Sequence, residues 1–296
     1  MIKRTVDISQ ASYLYLKNRQ LLIDQQGEMV GSVPVEDLGI LILEHPAITL
    51  TQGVLLACQK NNVAVVFCDE RHLPYSTLLP ISEGHQLHNK VLQQQITVTP
   101  PIRKRLWKEI VQEKIHQQAL TLERFGNHAT SLHRLSRQVK SGDPNNCEAV
   151  AAQQYWKSLM GTSFVRDRDA NDSNLLLNYG YSIIRAMVAR ALVGTGLHPA
   201  LGLFHHNQYD GLALADDLME PLRPWVDTVV MQLLQQDVNV DLNQNSKTVL
   251  LSLMEQSVLW NGKETPLLVT SHLLAARLKQ CYEDRKLKMI WPQWIE

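Results

Sequence analysis

The sequence predicts an α+β chain in which a small N-terminal β-rich domain precedes a larger all-α domain. Three observations carry that expectation. The 296 residues are enough for two domains. Short β-branched and alternating runs fill the first seventy or so positions, and helical spacing dominates from Gln86 onward. The composition shift falls in "LPISEGHQLHNK", where Pro80 and Gly84 mark a connection, giving domains of 1–82 and 83–296.

In chain order, "ASYLYLKNRQLLID" breaks at Lys17 to Gln20 between two apolar runs, the pattern of a hairpin. "SVPVEDLGILILEHPAITL" holds two short apolar runs, and Pro46 bars a continuous helix between them. "TQGVLLACQKNN" fits a short helix, and "VAVVFCD" is a β-branched run suited to a buried strand. Helices follow at 101–126, closed by Gly126, and at 147–160, 174–193, 222–236 and 271–287.

Composition narrows the function classes. Hydrophobic residues at 45% and charged residues at 20% describe a soluble globular protein. Twenty-nine basic residues balance twenty-nine acidic ones, so any nucleic-acid contact must come from local charge. Four widely spaced cysteines without a CxxC pair argue against a cysteine zinc site. The most apolar run, 175–193, carries Asn178, Arg185 and Arg190 and reads as a buried helix, not a membrane span. With no signal peptide at the N-terminus, a reduced cytoplasmic protein is expected.

Ligand chemistry gathers in three islands. Glu148 opens a helix beside Ala149, Val150, Ala151 and Ala152, where the helix dipole favours a carboxylate whatever its task. His205 and His206 follow a bent, glycine-rich connection, and adjacent histidines cannot both face one point. In "ADDLMEP", Asp217 and Glu220 lie three apart and Asp216 and Glu220 four apart, so either pair shares a helical face, or the acids simply begin a helix. Taken together, one imidazole and two or three carboxylates suit Mg²⁺ or Mn²⁺ better than zinc, and HExxH is absent. Basic residues that could meet phosphates accompany them: Arg103, Lys104, Arg105, Lys108, Lys114, Arg134 and Arg137, then Arg166 and Arg168. A solvated helix face explains residues 103–114 equally simply. A metal-dependent nuclease and a non-catalytic helical DNA-binding scaffold both remain open at this point.

"EAVAAQQYW", "NLLLNYGYSIIRAMVARALVGTGLHPALGLFHHNQ" and "LADDLMEPLRPWVD", in this order and at these intervals, resemble the universal integrase of CRISPR adaptation, the endonuclease that inserts new spacers. The N-terminal stretch from "VPVEDLGILIL" to "FCDERHLPYSTLLP" is similar to the same family, in its wording to the branch found with type II systems. The resemblance implies a homodimer that pairs with a small ferredoxin-like partner, and with further type II adaptation proteins, to hold double-stranded DNA. It implies joining of the 3′-hydroxyl ends of a captured fragment to the repeat by metal-dependent transesterification, in a prokaryotic cytoplasm. Its motif places the metal ligands at Glu148, at His205 in preference to His206, and at Glu220, with Asp217 as a nearby acid.

Overall fold

The computed structural model describes residues 3–81, 83–205, 207–237 and 240–295. Its first part contains strands β1 (Arg4–Ile8), β2 (Tyr13–Lys17), β3 (Gln20–Gln25), β4 (Glu28–Pro34), β5 (Leu38–Leu43) and β6 (Thr49–Leu50), helix α1 (Gln52–Lys60), and strands β7 (Ala64–Cys68) and β8 (Pro74–Leu78). The expected hairpin is β2–β3, turning on Asn18 and Arg19, both at positive φ. These strands form two sheets. One is ordered β4-β3-β2-β6, and the other β1-β5-β7-β8, in which the β1–β5 and β5–β7 pairs are parallel and β7–β8 is antiparallel.

Strand β5 is buried along its whole length, as a strand covered on both faces must be. Leu41 and Leu43 face the core shared with Leu14, Leu21, Val54 and Cys58. Ile40 and Ile42, pointing the other way, join Ala64 and Val66 in the core of the helical part. The second sheet is thereby packed between the two cores.

The helical part contains α2 (His88–Ile96), α3 (Pro100–Arg124), α4 (Thr130–Gln138), α5 (Cys147–Leu159), α6 (Ser173–Gly194), α7 (Ala213–Met219), α8 (Arg223–Gln236), α9 (Gln244–Ser252) and, after a short hairpin, α10 (Leu267–Glu283). Helix α6 is buried on nearly every side, so its apolar composition serves a central helix. Each fully buried Leu or Ile there contributes roughly 1.5–3 kcal/mol relative to exposure. Gly180 lets α8 approach: a Cβ at that position would collide with Val226. No helix among the described residues is long and apolar enough to cross a membrane.

Two expectations need correction. The C-terminal part is mostly helical but not all-α, because β9 (Ser257–Trp260), β10 (Lys263–Pro266) and β11 (Gln293–Trp294) form an antiparallel sheet ordered β10-β9-β11. Asn261 and Gly262, both at positive φ, make the tight turn that joins β9 to β10. The last helix also begins and ends four residues before 271–287, since Pro266 fits the entry to a helix and the chain turns extended at Asp284.

A polar cluster lies where the parallel sheet meets the helices. Lys247 Nζ on α9 is 2.7 Å from Glu44 Oε1, and His72 Nδ1 is 3.1 Å from the same oxygen. Burial, and then the Glu44 charge, push the Asp7 carboxyl up to about 6. An acid raised in this way stays protonated in the native state while the denatured chain has already ionised. Its contribution to stability therefore falls as pH rises from about 4 to 6. Asp7→Asn is expected to stabilise the protein at pH 7.5, by no more than about 3 kcal/mol, with the gain vanishing below pH ~4. Denaturant unfolding across that range checks this, and a gain independent of pH would count against it.

Candidate active site

The candidate residues are built around one face of α3. Asp143 fixes the start of α5, its two carboxylate oxygens accepting from the backbone N–H groups of Cys147 (2.9 Å) and Glu148 (3.0 Å). Glu148 thus sits in the first turn, where the helix dipole favours its charge, and its Oε1 lies 2.6 Å from Lys114 Nζ on α3. Glu220 approaches the same ammonium from the other side. Pro221 has no N–H to continue the α7 ladder, so the chain passes through a 3₁₀ turn, Glu220–Leu222, before α8 begins. That turn buries Glu220, with Oε1 accepting from Arg223 Nε at 2.9 Å and Oε2 2.5 Å from Lys114 Nζ.

Lys114 therefore bridges two carboxylates from separate elements. Burial alone would push the Glu220 carboxyl up, but Arg223 and then Lys114 outweigh it and hold the group at about 2. Burial likewise opposes the Lys114 charge, and Glu220 and Glu148 more than compensate, raising it above the usual lysine value. Both groups are charged at neutral pH.

Asp217 takes a different position from Glu220. It is completely buried and accepts from the backbone N–H groups of Leu203 (2.5 Å), Phe204 (3.1 Å) and His205 (3.3 Å). Its Oδ1 also lies 2.6 Å from His205 Nδ1. This hydrogen bond, working against burial, raises the imidazole above its ordinary value, with smaller contributions from Glu220 and Glu148. With a carboxylate accepting at Nδ1, the neutral ring carries its proton there and leaves the Nε2 lone pair for a ligand. Gly202 makes room for the arrangement, because a Cβ there would meet the His205 carbonyl and lie 3.0 Å from Asp217 Oδ2.

The donor chemistry fits a divalent cation: two carboxylates and an imidazole whose tautomer is fixed by a buried acid. The Lys114 ammonium lies between the carboxylates, and among the described residues no three of His, Cys, Asp or Glu converge on one point. Admitting a cation requires Lys114 Nζ to withdraw from that position.

The other candidates separate. Asp216 forms a paired contact with Arg185, Oδ1 and Oδ2 each 2.7 Å from its Nε and Nη2, and Asp210 shares the same guanidinium. Neither acid joins Glu220. His206 lies outside the described residues. Arg166 and Arg168 line a cavity together with Glu220, and Arg103 lines another with His205. Arg137 faces a groove with Lys108 and Lys140, away from both, and Arg134 is exposed. Lys104 packs beneath Gly142. Arg105 is tied to Glu109 (3.1 Å) and the Leu287 carbonyl (2.6 Å), where it holds the C-terminal segment against α3. Sequence reasoning counted Lys114 only among phosphate-facing cations and passed over Arg223, whose place three residues after Glu220 was a readable signal.

The family model described as CRISPR associated protein Cas1 matches residues 7–259. The chain belongs to the Cas1 family. It is thus a CRISPR-associated endonuclease, of a family that depends on metal. Among its Cas1 relatives, the CRISPR-associated endonuclease Cas1 of Neisseria meningitidis serogroup C (strain 8013) is 40% identical over 238 residues, covering 80% of this chain and 77% of the relative. A second Cas1, from Saccharolobus solfataricus, is 27% identical over 277 residues, 88% of this chain and 87% of its own. Two solved structures share the Cas1 fold. A casposase bound to integration product has a TM-score of 0.79 at 20% identity, covering 98% of this chain and 92% of that one. A Cas1 protein from Thermotoga maritima has a TM-score of 0.79 at 15% identity, with 95% and 97% covered.

Proposed function

We propose that Glu148, His205 and Glu220 hold Mg²⁺ or Mn²⁺ and that this chain joins DNA strands there. One observation carries the reading. A buried Asp217 leaves His205 Nε2 free at a place where Glu148 and Glu220 lie close enough to act on the imidazole. The cation, when bound, supplies Lewis-acid stabilisation of the phosphoryl oxygens and lowers the pKa of an attacking hydroxyl. The chain supplies the positioning. Asp217 fixes the imidazole, Arg223 fixes one Glu220 oxygen, and Asp143 fixes the helix start that carries Glu148. A 3′-oxygen of the incoming DNA forms a new bond to a repeat-boundary phosphorus. The target strand's P–O3′ bond breaks, and the released 3′-oxygen takes up a proton. Water in place of the 3′-hydroxyl would make the same site hydrolytic.

The casposase bound to integration product and a solved Cas6-RT-Cas1–Cas2 complex support DNA and a small Cas2-type ferredoxin-like protein as partners. Residues 1–82 supply the contacts of a homodimer and that partner in this reading. The wording of "FCDERHLPYSTLLP" and the Neisseria relative support a place in the type II branch, acting on prespacer and repeat DNA in the cytoplasm with further adaptation proteins.

Divalent-metal titration of wild type and Glu148→Ala tests the site, with Cas2-type partner, a short duplex with free 3′ ends and supercoiled repeat DNA. Joining should rise to saturation in wild type and stay flat in the variant. A variant that titrates like wild type would remove Glu148 from the site, and products cleaved but never joined would make the chain a nuclease alone.

A further inference from the structure

A cavity of about 770 Å³ lies between α3, α8 and the C-terminal segment. Glu113 and Gln117 line it, roughly a quarter turn round α3 from Lys114, so it stands on a different face from the proposed metal ligands. Trp225, Trp291 and Trp294 form its aromatic walls. The volume falls within the range of ligand pockets, roughly 300–1,000 Å³.

Its polar groups are held in one orientation. Trp225 is buried, and its indole N–H donates to Gln117 Oε1 at 2.8 Å. The amide must then present its Nε2, which donates to Glu113 Oε1 at 2.7 Å. An ionised carboxylate accepts further donors, and among the described residues no lysine or arginine pairs with this one. Burial pushes the Glu113 carboxyl up, against Gln117 and His116, so an added N–H donor favours its charged form. Of the three indoles, Trp294 meets Trp225 edge-on at 5.2 Å and carries Arg124 over its face at 4.8 Å. Half-buried Trp291 makes no ring contact among the described residues and keeps a face for a ligand. The cavity opens into a groove of about 560 Å³ that shares Glu113 and Trp291 with it. Lys108, Arg285, Lys286 and Lys288 border that groove, and none is ion-paired among the described residues. Its other acid, Glu109, is engaged by Arg105 Nη1 (3.1 Å) and the Met289 N–H (2.7 Å). Arg277 Nε donates to the Lys288 carbonyl at 2.7 Å, so the segment that presents these cations is pinned from both sides.

We propose that this cleft binds a guanine nucleotide, with its phosphate among the four groove cations, its base on Trp291, and its N1–H and N2–H donating to Glu113. A positive groove that ends in an aromatic cavity takes a phosphate at one end and a base at the other. The carboxylate selects the base. It can only accept, and guanine alone of the DNA bases carries two adjacent N–H donors on one edge. The same contacts serve a free nucleotide or a guanine in an unpaired strand.

Equilibrium dialysis in EDTA, with labelled dGMP, dAMP, dCMP and dTMP, tests the site without any contribution from bound metal. Wild type should hold dGMP about tenfold more tightly than the other three. Glu113→Gln should erase that preference, and Trp291→Ala should weaken all four by about tenfold. Lys286→Gln, an exposed change, should flatten the salt dependence and keep the guanine preference. Melting curves at the wild-type position establish that each variant is folded. A short oligothymidylate carrying one central guanine separates the sources. Tighter binding than dGMP assigns the site to a strand, and equal or weaker binding to a free nucleotide. Failure of wild type to bind dGMP, equal binding of the four nucleotides, or an unchanged guanine preference in folded Glu113→Gln would overturn the site.

Discussion

His205→Ala is expected to abolish strand joining, by roughly a thousandfold, while DNA binding and its salt dependence stay near wild type. The asymmetry follows from what the side chain touches. Its Nδ1 meets Asp217, its ring packs edge-on against Trp107 (5.7 Å) and Phe204 (5.9 Å), and its Nε2 is left for the cation. Removing the ring deletes one metal donor. Asp217 keeps its three backbone N–H donors, so the loop that carries residue 205 retains its main anchor. The phosphate-facing cations are on other elements and are untouched. Joining, metal affinity and DNA binding measured on the same preparation check this. Unchanged joining would sink the assignment of His205, and a parallel loss of DNA binding would mean that the loop had collapsed.

How far the sequence could be read depends on the range of the signal. Local signals were sufficient for β2–β3, for the buried run of β7, and for α3, α5, α6 and α8, each of which has its own periodicity or turn. The β9–β10 hairpin was equally legible and was overlooked: "VLWNGKETP" carries Asn-Gly between strand-forming residues, the strongest short-range hairpin signal. The site divides in the same way. The restriction to one histidine of the pair followed from geometry within a few residues, and the preference for His205 came from family resemblance. The sorting of the four acids in 202–221 did not follow from spacing, because it depends on partners far away in sequence. Arg185 on α6 takes Asp210 and Asp216, His205 takes Asp217, and Lys114 on α3 takes Glu220. Lys114 itself reads as one more cation in a basic helix until tertiary packing brings α5 and the 3₁₀ turn to it.

Asp217 and Glu220 should consequently fail in different ways when each loses its charge. Asp217→Asn is expected to lower joining about 10- to 100-fold, the usual effect of disturbing the acid behind a metal-binding histidine. An amide can accept on one oxygen only, so it must turn an N–H toward donors that now meet a carboxylate. That leaves buried backbone groups unmatched, and the melting temperature should fall as well. The three proposed ligands remain, so excess Mn²⁺ should restore part of the activity. Glu220→Gln removes a ligand itself and leaves Lys114 and Arg223 facing a neutral group, so excess Mn²⁺ should restore little. Joining rates across a wide Mn²⁺ range, with melting curves for each variant, separate the two. Recovery of Glu220→Gln but not of Asp217→Asn would exchange the roles of the two acids: Asp217 would be the ligand, and Glu220 the partner that restrains Lys114.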